Sequence, residues 1–279
     1  YYLLIKRSTS SYCWDEYLKA KSESLKLLKR FFSGRLRKLP KNIVLAIIAV
    51  SDNAKEFIQK KLKKWFKRND IIQKTTVVDH PSDRGMIEIE MKVSKRTAAT
   101  MLLHQKLPDP FAFLAVAHAV YCRNRWIQQT RDYKSPYELE FGRKPSYHLL
   151  RPFGCKCVVL LPGKPKGVDP RGVEGLFVGI DESTIPGGAW KVFIPQYFGT
   201  RRHKSHLMIS TSVTFDTTPG GGGLLLRRLA RDEPDLPIFK LLGKLQAPIV
   251  PLPYPGEKQT RDALFSDSEE DTFDDSTTD

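Results

Sequence analysis

The chain has 279 residues, of which 41% are hydrophobic, which excludes a protein that is disordered throughout and allows one or two domains with hydrophobic cores. Its 46 Lys and Arg against 31 Asp and Glu give a net charge of +15, which indicates a polyanionic partner, nucleic acid first among the candidates. A soluble basic protein with no such partner is the alternative. No apolar run approaches the roughly 20 residues that cross a bilayer, so no membrane partner is expected.

Strands and helices alternate in the first part of the chain. Residues 1–6 and 11–19 predict two β-rich segments, and Ser22 is placed to cap the amphipathic helix that follows. The apolar run IVLAIIAV (43–50) predicts a buried strand, and the β-branched run IIQKTTVV (71–78) predicts another. A second amphipathic helix lies between these two strands. This order indicates an α/β core.

Two longer helices follow the core strands. HPSDRG (80–85) predicts a turn, and a helix is expected over residues 86–107. Asp109 and Pro110 predict the start of the next helix, with a capping carboxylate before a proline at the first helical position. That helix is apolar nearly all round and therefore predicted to be buried. His118 inside it is interpreted as a core histidine, because no second ligand lies three or four residues away.

The remainder of the chain has a different pattern. Short strand-like runs separated by Gly and Pro turns fill residues 153–216 and indicate a small antiparallel barrel. The chain then turns to PGGGG, scattered prolines and acidic residues, so 217–279 is predicted to be linker and disordered tail. Eight acidic residues and no Lys or Arg follow Arg261, which leaves 46 basic against 23 acidic residues, or +23, in residues 1–261.

Nothing in the sequence indicates export or a disulfide framework. The opening YYLLIKRSTS lacks the basic region of a signal peptide and an initiating Met, which predicts a chain cut out of a longer one. The four cysteines are scattered, without a zinc-binding spacing, and are predicted to be reduced thiols of an intracellular protein. They are Cys13, Cys122, Cys155 and Cys157.

Two carboxylates are candidate metal ligands. Asp52 follows the predicted buried strand 43–50. It is either the cap of the next helix or a metal ligand. The second alternative arises because acidic residues at the strand ends of an α/β core can converge on a divalent cation. The 35 residues between Asp52 and Glu88 are enough chain to bring Glu88 back beside it. Glu90 is the rival to Glu88: two residues apart on a helix, they lie about 200° apart and cannot both face one site.

Two groups of cations are candidates for contact with nucleic-acid phosphates. The run KKLKKWFKR (60–68) is either a solvated helix face or a DNA-binding one, and the arginines around Asn124 serve either packing or phosphate contact. With no zinc finger or basic zipper in the sequence, contact is expected mainly with phosphates. The candidate nucleic-acid-binding residues are Lys60, Lys61, Lys63, Lys64, Lys67, Arg68, Arg123 and Arg125.

The stretch SDNAKEF…KKWFKRNDIIQKTTVVDHPSDRGMIEIE resembles the second half of the catalytic core of copia-type LTR-retrotransposon integrases. In that family an Asp-Asn-Gly-Gly-Glu-Phe motif carries the second catalytic Asp, here Asp52. A Pro-x-x-Asn-Gly turn precedes the catalytic Glu, and Pro81, Gly85 and Glu88 hold those positions. SPYELEFGRKPSYHLLRPFGCKC resembles the family's junction into a small SH3-like barrel, and GLFVGIDES and VTFD resemble strands within it. The resemblance covers roughly residues 1–216.

The resemblance implies an α/β RNase H-like core, a mixed sheet with helices, followed by an all-β SH3-like barrel and a disordered tail. The implied boundaries are an N-terminally truncated core over 1–130, a connector over 131–152, the barrel over 153–216 and the tail over 217–279. The implied activity is DNA integration, in which two Asp and one Glu hold two Mg²⁺ or Mn²⁺ ions that drive phosphoryl transfer. The implied partners are the element's DNA ends, target DNA and further copies of the intact protein, in the nucleus or in a cytoplasmic virus-like particle.

Several positions near the implied site depart from the family's pattern. The family's first catalytic Asp lies upstream of Tyr1, and Asp15 lies past the second strand and is no substitute. The sequence therefore predicts an incomplete metal site and no catalysis by this chain alone. A non-enzymatic DNA-binding relic or host-adopted module is the alternative function, and a basic scaffold for protein partners is a third. The departures are Lys6-Arg7 for an acidic pair, Ala54-Lys55 for two glycines, Arg84 for Asn and Ile89-Glu90 for a basic pair.

Overall fold

The computed structural model describes residues 1–18, 20–36, 47–51, 59–75, 81–161, 171–198 and 206–244. The chain divides into two compact units, Tyr1–Ala98 with Phe113–Leu150 and Ala99–Ala112 with Arg151–Asp279. None of the helices in the described residues is long and apolar enough to cross a membrane.

The first unit holds both an antiparallel and a parallel pair of strands. β1 (Tyr2–Lys6) and β2 (Cys13–Tyr17) pair antiparallel, as expected for strands joined by a short turn. β3 (Ile47–Ser51) and β4 (Ile71–Thr75) pair parallel, which requires a crossover, and α2 (Lys60–Arg68) lies between them in sequence. The strands predicted in these four places are confirmed. Among the described residues the two pairs form separate sheets.

The apolar faces of the first helices bury against the parallel pair. α1 (Ser24–Leu36) follows a 3₁₀ turn at Lys21–Glu23, and Ser22 lies inside that turn, so the prediction that it caps the helix is wrong. Leu62 and Phe66 are four residues apart on α2, so both point inward. The buried cluster that these elements form consists of Leu28, Leu62, Phe66 and Ile71.

α3 (Pro81–Gln105) begins earlier than the sequence suggests. A turn is predicted for residues 80–85, whereas the helix already starts at Pro81, because the ring of a proline presets the backbone angle of a first helical turn. A 3₁₀ turn at Asp109–Phe111 leads into α4 (Ala112–Arg125). The cap residue of this 3₁₀ turn is Pro108, with no side-chain hydrogen bond, and Asp109 lies inside the turn, so the prediction that Asp109 caps the helix is wrong. α5 (Pro136–Phe141) completes the unit.

The second unit contains a five-stranded antiparallel sheet with the strand order β8-β7-β6-β5-β9. This sheet confirms the short antiparallel strands expected over residues 153–216, while its closure into an SH3-like barrel stays a prediction. Its members are β5 (Lys156–Leu160), β6 (Gly172–Asp181), β7 (Ala189–Phe193), β8 (Leu207–Ser210) and β9 (Val213–Asp216).

Two helices follow the sheet where a linker is expected. α6 (Gly221–Asp232) and α7 (Pro237–Lys244) are ordered structure, so the prediction of linker and disorder is wrong for them, and residues 245–279 lie outside the described residues. The glycines of PGGGG allow close backbone packing: a Cβ at Gly222 would lie 2.1 Å from the carbonyl oxygen of Gly154. The Gly222 amide donates to Oε1 of Gln105 at 3.2 Å. Glycine is needed here because the first turn of α6 meets other backbone directly.

The four cysteines form no disulfide, as predicted. Burial raises the pKa of Cys155 to about 12 and that of Cys122 to about 11, so both thiols stay protonated near neutral pH. Cys13, Cys155 and Cys157 are buried and behave as small core residues, whereas Cys122 is half-buried.

Candidate functional site

α3 buries Glu90 and leaves Glu88 in solvent. Glu90 is 4% exposed, whereas Glu88 is exposed. The two positions are about 200° apart on the helix, so the two side chains point to different sides of it. Asp52 lies outside the described residues, and its pairing with either glutamate stays a prediction.

Two cations hold the Glu90 carboxylate. Nζ of Lys6, on β1, donates to Oε2 at 2.9 Å, and Nε of Arg123, on α4, donates to Oε1. The side chain of Glu90 is 5% exposed and that of Lys6 is 15% exposed, so little water screens this pair. Lys6, Glu90 and Arg123 are called the Glu90 cluster below. Its formal charge is +1, which opposes the binding of a divalent cation beside the carboxylate.

The Glu90 cluster lies where four elements meet. Asn124, next to Arg123 on α4, is buried and pairs with the backbone of Cys13 at the start of β2: its Oδ1 accepts from the Cys13 amide at 2.9 Å, and its Nδ2 donates to the Cys13 carbonyl at 2.8 Å. Burial, followed by the charge of Glu90, raises the pKa of Cys13 to about 12. The contacts of Glu90 and of Asn124 therefore connect β1, β2, α3 and α4.

Arg125 is buried and packs between aromatic rings. It is 2% exposed, and its guanidinium carbon lies 3.5 Å from the ring centroid of Tyr121 and 4.8 Å from that of Tyr137. Its Nη1 also donates to the Tyr121 carbonyl at 3.2 Å. This burial favours packing over phosphate contact for Arg125. The bond from Arg123 to Glu90 likewise gives Arg123 an internal partner.

The candidate cations on α2 are all exposed. They occupy an arc of about 160° around the helix, and the buried side chains Leu62 and Phe66 face the opposite way. α2 contains no acidic residue, and its last turn carries Lys67 and Arg68, which the helix dipole favours. This surface is called the α2 basic face, and it consists of Lys60, Lys61, Lys63, Lys64, Lys67 and Arg68.

The donor groups in the described residues do not fit a dinuclear Mg²⁺ or Mn²⁺ site. No three His, Cys, Asp or Glu side chains in that part of the chain are grouped so that they hold a metal ion. Carboxylates are the ligands that these cations prefer, and the buried carboxylate of α3, Glu90, already bonds two positive side chains.

The chain is 28% identical over 219 residues to the retrovirus-related Pol polyprotein from transposon RE1 of Arabidopsis thaliana, an alignment that covers 77% of this chain. It is 27% identical over 164 residues, 56% of its length, to the corresponding polyprotein from transposon RE2 of the same plant. The chain is a homologue of copia-type retrotransposon Pol polyproteins. The family resemblance found in the sequence motifs is thereby confirmed, although no protein-family model matches the chain.

This Pol homologue spans 14% of the length of the RE1 polyprotein and 10% of that of the RE2 polyprotein. A solved chain similar to it belongs to the simian T-cell lymphotropic virus intasome in complex with PP2A regulatory subunit B56 gamma. That likeness covers 78% of the Pol homologue and 73% of the viral chain, at 14% identity and a TM-score of 0.38. A TM-score this low does not establish a shared fold.

The sequence motifs of the Pol homologue do not reveal the Glu90 cluster. Lys6 and Arg123 are 117 residues apart, and each is separately notable, Lys6 as a departure from an acidic pair and Arg123 as a candidate phosphate contact. A basic residue in place of an acidic one near a buried glutamate is the signal that would have linked them.

Proposed function

We propose that the chain is a nucleic-acid-binding part of a retrotransposon integrase and does not catalyse strand transfer by itself. Its homology to Pol polyproteins and its net charge of +15 support this assignment. The observation that carries it is the exposed α2 basic face. The proposal includes an RNase H-like first unit, an SH3-like second unit, DNA as the partner and multimers of the intact protein, in the nucleus or in the element's virus-like particle.

The α2 basic face suits the backbone of duplex DNA. Its nine residues extend about 12 Å along the helix axis, and DNA carries one negative charge per about 1.7 Å of its own axis. Several of the six cations therefore meet phosphates at once and release the counterions condensed there. Contacts of this kind carry little base readout, so affinity is expected to depend on salt far more than on sequence.

Removing three charges from the α2 basic face tests the binding proposal. We expect Lys60→Gln/Lys64→Gln/Lys67→Gln to weaken duplex binding at low salt by about tenfold or more. The slope of log affinity against log salt should fall in size by about 0.9 for each phosphate that the variant no longer neutralises. Fluorescence anisotropy of a labelled duplex, titrated at several KCl concentrations, measures both quantities.

The matched control removes the same charge from three other helices. Lys26→Gln/Lys92→Gln/Lys240→Gln alters exposed lysines of α1, α3 and α7 and should leave most of the affinity in place. Equal losses in the two variants would mean that net charge alone attracts DNA, and the α2 assignment would be wrong. A wild-type chain without affinity for duplex DNA even at low salt would favour the protein-scaffold alternative.

Strand transfer by this chain is expected to be undetectable with either Mg²⁺ or Mn²⁺. The physical reason is the donor set: in the described residues no three His, Cys, Asp or Glu side chains are grouped to hold a metal ion, and Lys6 and Arg123 already bond the buried carboxylate of Glu90. The assay joins a labelled oligonucleotide end to target DNA and includes an active integrase as the positive control. Metal-dependent joining that disappears in Asp52→Asn would show that the chain has a functional catalytic site, and the non-catalytic assignment would be wrong.

A further inference from the structure

Large apolar side chains stand in solvent just after α4. Trp126 is 75% exposed, and its neighbour Ile127 is 53% exposed. Tyr147 is 49% exposed. A single exposed leucine needs no explanation, but grouped aromatic rings in water are characteristic of interaction sites.

The backbone of Arg125 brings Trp126 and Tyr147 to one place. The Tyr147 hydroxyl donates to the Arg125 carbonyl at 3.1 Å, and that carbonyl belongs to the peptide bond that joins Arg125 to Trp126. The Arg125 side chain is fixed between Tyr121 and Tyr137. Trp126 follows this buried arginine in the chain and Tyr147 is hydrogen-bonded to its backbone, which reduces the ordering that ligand binding requires.

Two exposed cations belong to the segment that leads to Tyr147, and one of them approaches the aromatic ring packed on Arg125. The guanidinium of Arg143 lies 5.9 Å from the ring centroid of Tyr137, which itself contacts Arg125. Arg143 and Lys144 are both exposed. The surface formed by Trp126, Arg143, Lys144 and Tyr147 is called the aromatic patch below.

The composition of the aromatic patch fits unpaired nucleotides better than a protein. Exposed aromatic rings beside positive side chains are how single-stranded nucleic acid is held: bases stack on the rings and phosphates meet the cations. Trp, Tyr and Arg also occur in protein–protein interfaces, whereas lysine, present here as Lys144, is depleted in them. A stacked base also needs an open ring face, and the exposure of Trp126 provides one.

We propose that the aromatic patch binds single-stranded nucleic acid, with a base stacked on Trp126 and the adjoining phosphates on Arg143 and Lys144. The inference rests on the proposed function in taking nucleic acid as the partner, and it adds a second surface with a different preference. The α2 basic face contacts duplex phosphates, whereas the aromatic patch takes bases that are not paired.

Binding of oligothymidylate and of a duplex to the full chain, measured side by side, tests the proposal. We expect Trp126→Ala to weaken oligothymidylate binding by about tenfold or more, since stacking contributes about 1–3 kcal/mol per base, and to leave duplex affinity unchanged. Trp126→Phe should retain most of the affinity. Oligothymidylate should also quench tryptophan emission in the wild type and less so in Trp126→Phe, and oligouridylate as a second probe separates DNA from RNA.

Phe113→Ala provides the matched control, because Phe113 is an exposed aromatic residue near the other end of α4. It should bind oligothymidylate as the wild type does, and the urea midpoint of each variant verifies folding. An unchanged affinity in Trp126→Ala would overturn the proposal, as would an equal loss for duplex and oligothymidylate. Self-association that Trp126→Ala abolishes, without oligonucleotide binding, would identify a protein interface instead. Failure of the α2 assignment would appear separately, in the duplex titration of the triple lysine variant.

Discussion

Gly222→Ala is expected to lower the free energy of unfolding by about 2–3 kcal/mol, because the added methyl group collides with backbone. Its Cβ would lie 2.1 Å from the carbonyl oxygen of Gly154, a distance that no side-chain rotation can relieve. Gly154 cannot retreat easily, since its amide donates to the Phe177 carbonyl at 2.7 Å. Urea unfolding followed by circular dichroism measures the loss.

The neighbouring glycine supplies the control for this experiment. A Cβ at Gly221 meets nothing closer than Cβ of Lys156 at 3.8 Å, which is ordinary van der Waals contact. Gly221→Ala is therefore expected to change stability by less than about 0.5 kcal/mol, or to increase it by restricting the unfolded chain. Similar small effects at both positions would show that α6 does not pack as described.

Glu90→Ala is expected to lower the free energy of unfolding by about 3 kcal/mol. Truncating the carboxylate leaves the largely buried ammonium of Lys6 without a partner, and breaking a buried ion pair typically costs about 3–5 kcal/mol. The lower end is expected because the side chain of Arg123 is 37% exposed and water can compensate its charge. Urea unfolding again provides the measurement.

Glu88→Ala on the same helix is the matched control, and it should change stability by less than about 0.5 kcal/mol because Glu88 is exposed. Lys6→Met/Glu90→Leu removes both charges together and should recover most of the loss, since apolar replacements of a buried pair are often neutral. A loss at Glu88 as large as that at Glu90 would contradict the assigned orientation of α3.

Periodicity predicts much of the first unit but not which glutamate α3 buries. The spacing of Leu62 and Phe66 is enough to orient α2, because its inward side chains are apolar and its outward ones are charged. The buried side of α3, however, includes the polar residues Glu90, Ser94 and Gln105. Ala98 and Leu102 are buried on the same side, and a helix face that mixes polar and apolar residues carries only a weak amphipathic signal. Its orientation depends on partners distant in sequence, Lys6 and Arg123 among them.

The glycine run after the sheet is ambiguous for a different reason. Glycine is used both where a chain must stay flexible and where two backbones must touch, because both require the absence of a side chain. Composition alone therefore favours a linker and tail over residues 217–279, which include α6 and α7. Only the positions of Gly154 and Lys106, far away in sequence, show that Gly222 and Gly223 lie in packed structure.

The four consecutive glycines at the start of α6 also differ in how strongly a point mutation of their codons is expected to affect the protein. Every glycine codon begins with two guanines, so a change at either of these bases adds a side chain or ends the chain. At Gly222 and Gly223 that side chain meets a backbone oxygen, at 2.1 Å and 2.6 Å respectively, whereas at Gly221 it meets only atoms at an ordinary van der Waals distance. In a copy of the element released from selection, these two adjacent codons are where a point mutation to alanine would damage the second unit, whereas the same change at the Gly221 codon would cost little.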